Sequence, residues 1–217
     1  MGYFIRLLTP STHVPSLGQL QDDLDELGFD GVTFAVEDSD ADDTKVAWRF
    51  LRVFDEDGYP VCDISRDVLG EGDMVQEELA DFRAELKDAL PKNAARWARE
   101  QLEQVKSIYA VQILATDSDD DESEDSLPSV LLALLQGYLG GMIQGDGEGF
   151  SNDDGALVVW QFSDDAQGEW LAAVMDGQGS WTPFMMDIGE PAHRAAFQEG
   201  RVPVGATLVS EDEDDDD

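Results

Sequence analysis

Cationic side chains are scarce in this 217-residue chain. Four lysines and nine arginines stand against 49 Asp and Glu, for a formal net charge of -36. Such a surface repels phosphates, which argues against direct nucleic-acid binding. Cysteine occurs once, at Cys62, so an intrachain disulfide and a cysteine-type structural zinc site are excluded. The two histidines, His13 and His193, are too few for a histidine-rich metal site. No apolar run reaches the roughly 20 residues a membrane helix needs. The opening residues MGYFIRLLTPSTHVP lack a charged leader with a long apolar core, and Gly2 opens no myristoylation motif. No Gly-Lys-Ser/Thr phosphate loop and no Gly-x-Ser-x-Gly elbow occur. These absences predict a soluble, cytoplasmic protein with no membrane or nucleic-acid partner, and more readily a binding protein than an enzyme.

Carboxylate is what the chain has in excess. Asp outnumbers Glu 32 to 17, and the terminal run 211–217 holds only seven of these acids, so acidity belongs to the whole surface. Net charge speaks first to solubility and association. One reading is a coat suited to high salt. Another is a decoy for a basic partner protein, of the DNA-mimic or immunity type, because complementary charge steers encounter. A third is a small-molecule or divalent-cation binding module, with calcium or magnesium as the hard cation.

Apolar residues concentrate in 127–162. Residues 130–139 are apolar on nearly every face, which predicts a buried helix too short to span a bilayer. Gly140-Gly141 supplies a positive-φ stop. Two β-like runs follow, 142–150 and 156–162, joined by the turn signal Asn152-Asp153-Asp154-Gly155.

Elsewhere the pattern predicts a strand over 3–9 and a helix capped by Ser16, with Leu17, Leu20, Leu24 and Leu27 inward. A strand over 31–36 and a hairpin of 46–54 and 59–64 around Asp55-Glu56-Asp57-Gly58 come next. A helix over 74–90 carries the stripe Val75, Leu79, Phe82, Leu86 and Ala89. Pro91 breaks it and opens another over 92–106. A strand covers 108–115, and strands over 169–175 and 181–188 complete an antiparallel meander before a helix over 191–198. The acidic blocks 37–43 and 116–126 read as loops, and the tail 209–217 as disordered.

The fold class is therefore α+β, with antiparallel sheets and packed helices. The two halves read as similar β-α-β-β-β units, an internal duplication joined by a central helix pair. The expected organisation is an N-terminal half over 1–72, the helix pair over 73–106, a C-terminal half over 107–208 and the tail.

Candidate site residues fall into three groups. Aromatic Trp160, Trp170, Trp181 and Tyr138 would mark a binding face if strand alternation left them outward. Lys92, Arg96, Arg99 and Lys106 form the one basic stripe, expected either to pair with the chain's own carboxylates or to dock an acidic partner. Asp146, Glu148, Asp153 and Asp154 offer carboxylates for calcium or magnesium, although the spacing is not that of an EF-hand loop. The competing reading of Gly145-Asp146-Gly147-Glu148-Gly149 is a bulge or tight corner that needs only the glycines. Glu148 is also the best single carboxylate for acid–base work.

Overall fold

The computed structural model describes residues 3–36, 48–114 and 126–209. Among them the chain runs β1 (Phe4–Thr9), α1 (Leu17–Glu26), β2 (Thr33–Val36), β3 (Phe50–Phe54) and β4 (Pro60–Val68). It continues through α2 (Met74–Glu85), α3 (Lys92–Leu102), β5 (Ser107–Ile113) and α4 (Leu127–Leu139). The remaining elements are β6 (Met142–Gly145), β7 (Gly149–Ser151), β8 (Leu157–Trp160), β9 (Glu169–Met175), β10 (Trp181–Asp187), α5 (Pro191–Gln198) and β11 (Thr207–Leu208). The fold is mixed α+β with mostly antiparallel strands. Most of the acidic blocks, and the tail beyond Val209, lie outside the described residues. Among the described residues no helix is long and apolar enough to cross a membrane. Two compact units share the chain, Met1–Glu78 with Gln104–Gly141 and Leu79–Glu103 with Met142–Asp217.

In the first unit the strands lie in the order β1-β5-β4-β3-β2, all antiparallel. Helix α4 packs on β1, β4 and β5. Leu127, Leu131, Leu135 and Leu139 repeat every four residues and are buried, each contributing roughly 1.5–3 kcal/mol. The helix is not buried all round, as its composition suggests. Ala133, Gly137 and Tyr138 face solvent, because the helix covers one side of a sheet and turns its other side outward. The twin-glycine stop is real. Gly140 has φ 63° and its N–H donates to Gln136 O at 2.7 Å. A Cβ on Gly141 would lie 2.3 Å from Leu8 O, so only glycine permits this approach to β1. Ser16 caps α1 in a capping box with Gln19. Leu27, expected inward, is the C-cap residue and is exposed.

In the second unit the order is β11-β10-β9-β8-β7-β6. The run 142–150 is two short strands of a hairpin, with Asp146, Gly147 and Glu148 as its turn. Alternating glycines favour a reversal over a continuous strand. β8 and β9 pair in parallel, against the expected antiparallel meander. Leu157, Ala172, Phe184, Met186, Ile188 and Phe197 form a buried cluster that includes α5. α3 contacts β8 and β9 through a small-residue stripe, with Ala94, Ala95, Ala98 and Leu102 buried. Helix α2 ends at Glu85, and Pro91 caps α3 as its sequence position predicts.

One turn design recurs three times. Asp55, Asn152 and Asp176 each open a hairpin connection and accept two backbone N–H bonds on side-chain Oδ1, from the residues two and four positions on. Each turn is closed by the N–H of the opening residue donating to the carbonyl four residues on, at 2.9–3.0 Å. Its fourth position is Gly58, Gly155 or Gly179, all at φ between 77° and 90°, where a side chain would be strained.

Candidate functional site

The second unit holds an open groove of about 500 Å³ between the outward face of α3 and the β9–β10 turn. Asn93, Arg96, Trp97 and Glu100 line one wall and Met175 to Gly179 the other. The helical repeat makes the first wall, since positions spaced by three, four and seven share a face. Asn93 ties the walls together, its Nδ2 donating to Met175 O at 2.8 Å while its Oδ1 accepts from Ala94 N at 3.0 Å. Half-buried Trp97 packs edge-on against Trp181, with ring centroids 5.2 Å apart and planes at 88°. Asp176 is fully exposed, and the backbone N–H groups of Ser180 and then Gln178 hold its carboxyl below the ordinary value of 3.8. The groove thus offers an indole, a thioether, one guanidinium and two carboxylates.

The expected aromatic face divides. Trp160 and Trp170 pack against the α5-side cluster, with Phe162 4.6 Å from Trp170 and 5.2 Å from Trp160, and Trp160 Nε1 donates to Phe162 O at 3.0 Å. Trp181 meets Trp97 instead. In the β9–β10 register Trp170 lies opposite Met186 and Trp181 opposite Met175, pairs that belong to opposite faces of the ribbon. Tyr138 belongs to the first unit, where its hydroxyl donates to Asp23 Oδ2 and that bond pushes its pKa up to about 12.

Of the basic stripe, Arg96 lines the groove. Arg99 is exposed, its Nε donating to Ala95 O at 3.3 Å, and Lys106 lies beyond the end of α3. Among the described residues no carboxylate forms an ion pair with Lys92, Arg96 or Arg99.

The carboxylates of the cation reading sit on two successive turns. Asp146 and Glu148 occupy the β6–β7 turn, while Asp153 and Asp154 occupy the β7–β8 turn. Asp154 Oδ2 accepts from Asn152 Nδ2 at 3.1 Å. Among the described residues no group of three or more His, Cys, Asp or Glu is placed to hold a metal ion. Cys62 is buried, which pushes its thiol up to about 12 with help from the Asp63 charge. His193 Nδ1 accepts from Asp187 N at 3.2 Å, so it orders a turn.

Sequence reasoning missed Trp97 and Asp176. The signal was present in Asn93, Arg96, Trp97 and Glu100 at helical spacing, and in Asp176-Gly177-Gln178-Gly179-Ser180 with turn chemistry. What sequence could not supply was that α3 lies beside that turn. Compared with family models, characterised proteins and solved structures, the chain matches none.

Proposed function

We propose that the protein is a non-enzymatic binding or inhibitor protein that meets a basic partner through the sheet of its second unit, under a carboxylate coat suited to high salt. The placement of charge carries this reading. Among the described residues Asp63 is the one buried carboxylate, and Arg52 neutralises it through two bonds of 2.8 Å. The other described acids stay at least partly exposed on a chain of net charge -36. A cytoplasmic location, with neither membrane nor nucleic acid as partner, belongs to the same proposal.

Binding of the whole protein to polylysine, followed by calorimetry as salt is raised, tests it. Affinity is expected to fall steeply across about 0.05 to 0.5 M salt, because the Debye length shrinks below about 10 Å in that range. Absent or salt-indifferent binding removes the proposal. An internal duplication is a second part of this reading. The order β1-α1-β2-β3-β4 recurring as β5-α4-β6-β7-β8 around α2 and α3 supports it. A crystal structure in which β6-β7-β8 fails to superpose on β2-β3-β4 would end it.

A further inference from the structure

We infer that the groove between α3 and the β9–β10 turn is the anchor point for a basic partner, taking one lysine or arginine side chain between Trp97 and the carboxylates of Glu100 and Asp176. This rests on the reading proposed above and gives it a place. Three observations lead to it. The lining carries two carboxylates against the single guanidinium of Arg96, so the groove is net negative within a chain of net charge -36. Lys92 and Arg99 do not line it. An acidic ligand would therefore meet repulsion from like charge both in the groove and across the molecule, whereas a cation is favoured at both ranges.

Chemistry points the same way. An indole beside carboxylates suits a cation on an apolar stem, because the ring quadrupole attracts the charge while Trp97 and Met175 cover the methylenes. A volume of about 500 Å³ admits one long side chain with some flanking backbone. Glu100 makes no ion pair with Arg96, four residues before it on the same helix, so its carboxylate is not already committed to that cation.

The test uses the full chain and a Gly-Lys repeat peptide, with affinity by calorimetry and the Trp97 indole N–H resonance as a local reporter. Two groove substitutions, Glu100→Gln and Asp176→Asn, are made together. Both preserve shape, and Asn152 shows that an asparagine serves at the turn position of Asp176. Asp22→Asn with Glu26→Gln on α1, both exposed, removes the same charge elsewhere. The groove pair is expected to weaken binding about tenfold, the α1 pair by less than about twofold, and Arg96→Gln to tighten binding about threefold. The Trp97 resonance should move on titration of the wild type. Equal losses from the two pairs would overturn the anchor while leaving the basic-partner reading intact. No binding by the wild type would overturn both. Weaker binding in Arg96→Gln, or a Trp97 signal that stays still while peptide binds, would also overturn the anchor.

Discussion

Asn152 and Asp176 occupy the same place in two turns, one buried and the other exposed. Asn152→Ala removes the acceptor of two backbone N–H groups, one of them on buried Ala156, and is expected to destabilise the fold by about 1–3 kcal/mol in urea denaturation. Asp176→Asn keeps both acceptor contacts but loses the charge, so its stability at neutral pH should fall slightly. The two side chains differ in acid. Because the folded Asp176 carboxyl titrates below its ordinary value, its charge-dependent stabilisation is complete above the ordinary carboxylate range and is lost as pH falls through the lowered value. The deficit of Asp176→Asn relative to wild type should therefore shrink as pH falls below the ordinary carboxylate range, where the wild-type carboxylate takes up its proton. A difference that stays flat over that range would show that the charge adds nothing to the turn. The turn residues themselves were readable in Asp55-Glu56-Asp57-Gly58 and Asn152-Asp153-Asp154-Gly155, because turn chemistry is local. Trp97 gave no such reading, since its partner Trp181 is far away in sequence.

At the scale of elements, the two glycines of α4 and its exit make opposite predictions. Gly137 lies within the helix on its exposed side, with nothing within 4 Å of an added Cβ. Gly137→Ala is expected to stabilise the protein by about 0.5–1 kcal/mol, because alanine loses less backbone freedom in a helix. Gly141→Ala places a methyl 2.3 Å from Leu8 O at φ 113° and should lower the melting temperature. Thermal unfolding of both variants checks the pair, and a Gly141→Ala protein as stable as wild type would contradict the close approach to β1. Helices α3 and α5 were legible because periodicity and proline are strong marks. The tight corner at Gly145–Gly149 was legible in its glycines, but the pairing of β6 with β7 across it was not, because these strands are only four and three residues long. The parallel pairing of β8 with β9 was also unreadable, since strand pattern does not name a neighbour.

For the molecule as a whole, self-repulsion among exposed carboxylates is the dominant electrostatic fact. Raising salt from about 0.05 to about 1 M shortens the Debye length from roughly 14 to 3 Å and should raise the melting temperature steadily. A melting temperature that falls over this range would show that specific ion pairs outweigh the repulsion. Both units are also built from non-adjacent stretches of chain. β1 finds its antiparallel partner in β5, about 100 residues later, and β4 also pairs with β5, whereas β2–β3 and β3–β4 pair near neighbours. At roughly 5–20 residues per second of synthesis, β1 leaves the ribosome several seconds before β5, and until then it is a ribbon without that partner.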